Sequence, residues 1–322
     1  MPTLVTAEGG LLERIYDDTW PIWNDGLSRA DYARFNRAQM MTDWGAANLA
    51  RVAWVEGDEL LASAKRYRIA LRFEGSEVPC LGIGAVFTPP PLRGRAHAVS
   101  LIEAMVDEAA RDGIRYALLF SEIDPAYYAR LGFEPVPITE TYLGLKPQPR
   151  EGAPAVLVRG GDERDLADIA AMHQARAAGY ALAQHRSSAY ARHAIAKQRM
   201  LAALSPPGAR QLEFFIAEEG ASAVAYVVIS RGPGGPVLEE WGDRDPTGAR
   251  LGAILQVLAA RTPAETVAPV RTWLPDEFLP PQLERLDARQ PREVAMLRAS
   301  APGGPSVAEL ARDAFFLKGD AF

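Results

Sequence analysis

Apolar residues in the first forty positions recur at helical spacing, at Leu11, Leu12 and Ile15 and then at Tyr32, Phe35 and Met40. Pro21 and Gly26 interrupt the run, so two helices are predicted with a break across those residues. From residue 49 the pattern turns extended, over 49–56, 60–73 and 78–88, with the turn-like strings EGDE and EGSE between the segments. These segments predict an antiparallel meander. After three prolines the spacing predicts a helix over 96–112, stopped by Gly113, then a strand over 116–121, a brief helix over 125–131 and an extended piece from Phe133.

The stretch 146–154, KPQPREGAP, combines proline, glycine and charge as linkers do. A boundary there gives two domains, 1–147 and 153–322, a sensible division for a chain of 322 residues. Beyond it the order partly recurs. A strand is predicted over 155–158, an amphipathic helix behind GDERD, helix to about Leu204, strands over 213–218, 223–230 and 237–241, and a helix over 248–260. Strand, loop and helix have then appeared twice, as a diverged duplication would arrange them.

Composition narrows the class. Apolar residues are 48% and charged residues 24%, the balance of a globular protein, with no apolar run long enough to span a membrane and no secretory start, so the expected location is cytoplasmic. Cys80 is the single cysteine, which excludes an internal disulfide, and the four histidines lack metal-ligand spacing, so no metal is expected. A net charge of −6 argues against nucleic acid as partner and mildly favours a cationic one. Nothing in the sequence opposes a homo-oligomer.

The chemistry concentrates in GIGAVFTPPPLRGRAHAVSLIEAM, residues 82–105. An apolar strand ends in a small, basic turn that opens a helix. Such a turn can cradle a pyrophosphate, because the unpaired N–H groups of the helix start point at the anion while Arg93 and Arg95 add charge. Gly94, Ala96 and Ala98 would let phosphates approach the backbone, with His97 at the first helical turn. The competing reading is a plain strand-to-helix turn with solvated arginines. A second segment, DPAYYARLGFEPVP at 124–137, lies in sequence where a thiol leaving that cradle would emerge.

Together the two segments resemble the GNAT acetyltransferase signature, in which an arginine or glutamine, two free positions, a glycine, one free position and a glycine or alanine bind CoA. Arg93, Ala96 and Ala98 fall on those positions, and YARLGF falls on the family's later tyrosine-containing motif. Ala96 departs from the usual glycine; alanine is costly there if the position needs positive φ and fits if the turn is αR-like, the alternative favoured by the good helix that comes after it. AVFTPPPLRGR, LLFSEI and YYARLGF more narrowly resemble the group of fungal lysine N6-acetyltransferases with their bacterial relatives, and the first two domains of the mycobacterial enhanced-intracellular-survival acetyltransferases. The resemblance implies an α/β class with mixed sheets and tandem GNAT-like domains, the N-terminal one catalytic and the C-terminal one degenerate. It implies acetyl-CoA as cosubstrate and an amine, of a small molecule or a lysine side chain, as acceptor.

Roles also come from the resemblance. Backbone groups of Val86, Phe87 and Thr88 would hold the acetyl carbonyl, and Tyr128, with Tyr127 as fallback, would protonate the leaving thiolate. For the amine proton the candidates are Glu122, Asp124 and the terminal carboxylate of Phe322, since the survival-type enzymes insert their C-terminus into the active site; a frayed terminus is the alternative. The loop WGDRDPTGARLG in the second half carries Asp243 and Asp245 where phosphate would lie, so that half is expected not to bind CoA, while Glu239, Glu240 and Trp241 either touch the amine or merely finish a strand. The alternative to an enzyme is an acyl-CoA-binding regulatory module without turnover; acyl-CoA hydrolysis is a third reading.

Overall fold

The computed structural model describes residues 1–73, 75–146, 156–261, 268–301 and 303–322. In chain order the elements are β1 (Thr3–Thr6), α1 (Gly9–Trp23), α2 (Arg29–Met41), α3 (Asp43–Asn48), β2 (Leu49–Glu56), β3 (Glu59–Phe73), β4 (Ser76–Phe87), α4 (His97–Arg111), β5 (Tyr116–Ser121), α5 (Ala126–Ala129) and β6 (Glu134–Pro135). They continue as β7 (Glu140–Leu145), β8 (Leu157–Gly160), α6 (Leu166–Ala177), β9 (Leu182–Gln184), α7 (Ser188–Leu204), β10 (Gln211–Glu219), β11 (Ser222–Gly232), β12 (Gly235–Asp243) and α8 (Ala249–Ala260). The last are β13 (Val270–Trp273), β14 (Leu283–Arg289), β15 (Val294–Ala299), α9 (Val307–Ala311) and β16 (Ala314–Phe315).

Two compact units result. The first joins Met1–Pro137, Arg292–Asp313 and Phe322; the second joins Ile138–Pro291 and Ala314–Ala321. In the first unit the strands run β1-β2-β3-β4-β5-β15-β6, and in the second β8-β10-β11-β12-β13-β7-β14. The two paths match strand for strand, which bears out the mixed α/β class and the tandem arrangement. The sixth position is filled in the first path by β15, from near the C-terminal end of the sequence, and in the second by β7, from the segment before the linker.

This exchange corrects the division into 1–147 and 153–322. β7 pairs with β13 and β14, whereas β15 pairs with β5 and β6. The middle of β15, Ala295, Met296 and Leu297, is fully buried, and Arg298 forms a bidentate pair with Glu103 of α4 at 2.7 and 2.9 Å. A unit cut at the linker loses a core strand, not a tail. The linker at 147–154, with the start of the predicted 155–158 strand, lies outside the described residues.

In the first unit α4 covers one sheet face, burying Leu101, Ile102 and Met105 against Val52, Leu81 and Ile83. α1 covers the other, with Ile15 against Ala53 and Leu60. Helix α1 runs through Pro21 to Trp23, contrary to the expected break; Pro21 sits in its last turn, and Gly26 at φ +82° makes the actual separation from α2. After the short α9, β16 pairs in parallel with β9.

A chain ending at residue 147 should therefore show no cooperative thermal transition by circular dichroism. Mixed with 153–322 it should recover one, since each fragment supplies the strand the other lacks. A cooperative melt from 1–147 alone would contradict the exchange.

Candidate active site

The site begins where two parallel strands part. β4 and β5 pair only from Cys80 with Tyr116 to Ile83 with Leu119, although β4 continues to Phe87 and β5 to Ser121. On its other side β4 sets Gly84 opposite Lys65 but Phe87 opposite Ser63, so it holds one extra residue there. That bulge is taken up at Ala85, whose φ of +47° is in the left-handed region. A bulge kinks its strand and redirects the residues beyond it, which turns residues 85–88 away from β5 and opens a gap between the strands.

Below the gap α4 begins without a side-chain cap. Its N-cap residue is Ala96, at φ +61°, preceded by Gly94 at φ +79°. The αR-like turn favoured for Ala96 is thus overturned: the position is left-handed, and alanine costs about 1–2 kcal/mol there. The chain must reverse sharply between the Pro90–Leu92 turn and the helix, and two left-handed residues achieve it. The first-turn N–H groups remain open to an anion. Arg93, Gly94 and Arg95 are exposed, and Arg93 Nε donates to the Thr88 carbonyl at 3.3 Å, bracing the loop against the strand end.

A cavity of about 420 Å³ joins these features. Val86, Phe87, Thr88, Arg93, Gly94, Ala96, His97 and Ala98 all line it, with Tyr127 and Tyr128; Arg95 does not. Ile22 and Trp23 also line it, and Trp23 meets Phe87 edge-on at 6.5 Å. Those two escaped the sequence reading because the helix bearing them was expected to stop at Pro21.

Tyr128 is 8% exposed, its ring edge-on to Tyr127, and its hydroxyl makes no hydrogen bond among the described residues. Burial, with the neighbouring Tyr127, pushes its pKa up to about 12, so the phenol stays protonated. Glu122 lies outside the cavity, half exposed, 3.6 Å from Arg292. Asp124 accepts from the Ala126 N–H at 2.9 Å in the turn that leads into α5. Phe322 lies on the α1 face of the sheet. Its ring packs 4.4 Å from Tyr67 and 5.2 Å from Phe120, and a Cβ at Gly84 would meet its carbonyl oxygen at 3.0 Å. Glycine at 82 and 84 is what admits the residue, because a Cβ at Gly82 would strike the ring at 2.8 Å.

Residues 15–136 match the family model of the acetyltransferase (GNAT) domain. On that match the protein is an acyltransferase. The fold is similar to a GCN5-related N-acetyltransferase from Anabaena variabilis (TM-score 0.71, 13% identity, 94% of this chain and 73% of that one). It is similar also to Eis1 from Mycobacterium abscessus (0.61, 14%, 93% and 74%). A third likeness is to a tandem GNAT protein from the clavulanic acid biosynthesis pathway (0.54, 13%, 94% and 100%). No curated protein matches the sequence.

The second GNAT-like unit repeats the backbone and closes it. β12 bulges between Leu238 and Glu240, meets β13 at the single pair Val237–Arg271, and leads to α8, whose N-cap Gly248 is left-handed at φ +73° as Ala96 is. Here the helix start is occupied. Asp243 accepts from the Leu251 N–H at 2.8 Å and from the Asp245 N–H at 2.8 Å, so the chain's own carboxylate sits where a phosphate would. The neighbouring gap is filled by 318–320: a Cβ at Gly319 would lie 3.1 Å from the Glu239 carbonyl oxygen. Trp241 is core, stacked on Phe278 at 4.8 Å, Glu240 pairs with Arg186, and Glu239 accepts from Ser230 Oγ, so all three finish a strand.

Replacing Ala96 with glycine should raise stability by about 0.5–1 kcal/mol, the relief of left-handed strain less the added freedom of the unfolded chain. Ala104→Gly, in the middle of the same helix, should lower it by about 1 kcal/mol. Urea midpoints that move in one direction for both would exclude a left-handed Ala96.

Proposed function

We propose that the protein transfers the acetyl group of acetyl-CoA to a primary amine by direct attack, with the first unit catalytic and the second a non-catalytic partner. Tyr128 carries this reading: a buried, protonated phenol without a hydrogen-bond partner in the described protein, in the same cavity as an uncapped, positively flanked helix start. The pyrophosphate would sit on the first-turn N–H groups of α4, from His97 and Ala98 onward, with Arg93 and Arg95 adding charge and Gly94 and Ala96 giving close approach. The thioester would then extend along the strand gap, its carbonyl oxygen held by backbone groups of Val86, Phe87 and Thr88.

In this mechanism the amine attacks the carbonyl carbon, a C–N bond forms and the C–S bond breaks. Tyr128 gives its proton to the departing sulfur. The amine's proton passes to a carboxylate, and Phe322 is the preferred acceptor: like Glu122 it does not line the cavity, but it lies against Gly84 beside the strand gap, whereas Asp124 accepts the Ala126 N–H and Glu122 faces Arg292. The resemblance to fungal lysine N6-acetyltransferases makes a lysine-like amine the first acceptor to try, and a cytoplasmic setting belongs to the same proposal.

The test is release of free thiol from acetyl-CoA with and without primary amines. Amine-dependent release is expected; CoA binding without it would indicate a regulatory module, and release indifferent to amine would indicate a hydrolase. Tyr128→Phe should lower kcat by about a hundredfold or more with CoA affinity near normal. With a phenol pKa of about 12, kcat should show no alkaline limb through pH 10. Deleting Phe322 moves the terminal carboxylate by about 3.5 Å and should likewise lower kcat alone. Unchanged kcat in the Tyr128 variant removes the proposed acid, and unchanged kcat in the shortened chain removes the proposed base.

A further inference from the structure

The cavity of the first unit reaches both faces of its sheet. Its lining includes the first turn of α4, the helix that covers one face, and Ile22 and Trp23 in the last turn of α1, the helix that covers the other. The strand gap lies between them. Cosubstrate seated on the start of α4 leaves the α1 side of the gap open, so an amine attacking a thioester held in the gap must come from there. Phe322, the preferred proton acceptor, lies on the same face.

What waits on that side is apolar. Among the described residues of the first unit four large apolar side chains are exposed: Met1, Ile22, Met41 and Ile123. Two of the four, Ile22 at 50% and Ile123 at 54%, line this one cavity. Trp23 is half-buried beside Ile22, its ring set against Phe87 in the edge-on contact. Apolar side chains left exposed together in a concave site mark a surface that a ligand covers.

Charge points the same way. Among the described residues no carboxylate lines the cavity, and Asp25, Glu122 and Asp124, the acids beside its lining in the sequence, stay outside it. Its one permanent charge is Arg93, whose Nε meets the Thr88 carbonyl at the end of the strand gap. A second ammonium on the acceptor would leave water for a wall that offers no counter-ion and holds a like charge, which is unfavourable on both counts. An alkyl or aromatic group in that place covers Ile22 and Trp23 instead.

We propose that Ile22 and Trp23 select the acceptor, a monoamine with an apolar body and no second charge. This deepens the acetyl-transfer reading and rests on it for the donor and the reaction. It also reverses the order of acceptors within that reading, since a lysine-like amine with further polar or charged groups becomes a poor substrate.

Three amines of equal chain length test the proposal with the reacting group kept alike: hexylamine, 6-aminohexan-1-ol and 1,6-diaminohexane. Hexylamine should exceed the diamine by about a hundredfold in kcat/KM, with the alcohol between them. Ile22→Glu should reverse much of that preference by supplying the missing carboxylate. Trp23→Ala should lower kcat/KM for hexylamine about tenfold with acetyl-CoA affinity retained, and Trp23→Phe should keep most of it. Equal use of hexylamine and the diamine by the unaltered protein, or a preference that Ile22→Glu leaves unchanged, overturns the assignment. A fall in acetyl-CoA affinity in Trp23→Ala with the preference intact overturns it too, because these side chains would then serve the cosubstrate. Should Trp23→Ala lose its cooperative melt, Ile22→Glu decides alone, its side chain being half exposed. Binding is read separately: with CoA bound, which has no acetyl group to give, hexylamine should raise the Tm and 1,6-diaminohexane should not. No rise overturns the site. A rise that Ile22→Glu removes, in a protein that releases no thiol with any amine, supports the apolar wall while the acetyl-transfer reading fails.

Discussion

The early parting of β4 from β5 is the constraint on which the first unit depends. A parallel pair that stayed in register to its end would leave no room for a linear acyl thioester. The pair separates because β4 holds one extra residue opposite β3, absorbed in the left-handed Ala85. Left-handed alanine is unfavourable by itself, and the sheet on one side and the α4 packing on the other must hold it there. The same reversal continues into Gly94 and Ala96, so three left-handed residues within twelve positions carry the chain from sheet to helix start. Cavity, open N–H groups and the Tyr128 approach all descend from that path.

Much of this path was legible in the sequence, and the exceptions have physical causes. The meander, the 116–121 strand and the basic turn before α4 have local signatures: alternation, Gly113, and small residues beside arginines. Left-handed alanine has none, since its side chain reports helix propensity and nothing of the turn that a bulge imposes. The exchanged strands were hidden for another reason. Residues 140–145 and 294–299 carry no local mark of their partners, which are set by long-range register that no window reveals. Trp23 was lost to a local rule, that proline ends a helix: Pro21 withholds one N–H from the Asp17 carbonyl, yet the two residues after it remain helical.

The second unit shows what the same backbone becomes when no ligand must fit it. Its bulge and left-handed N-cap are preserved, and there the favourable residue, Gly248, is present. Yet Asp243 satisfies the helix start and Gly319 passes through the strand gap. Burial pulls the Asp243 carboxyl upward, and the N–H groups of Leu251 and Asp245 oppose that pull, as they would for a bound phosphate. An internal anion is always present at unit effective occupancy, so it turns a binding site into a structural joint.

Buried arginines draw the same contrast more sharply. In the second unit Arg186 is fully buried and meets two carboxylates, Glu240 at 2.6 Å and Asp320, with the Lys197 ammonium on the next carbonyl, Ala321. Desolvation is offset inside the unit, and the segment that offsets it is the stretch leading to Phe322. In the first unit Arg51 is buried as well, 2% exposed, yet it forms no ion pair among the described residues. The net charge of −6 belongs to the whole chain, whereas local charge governs each buried guanidinium.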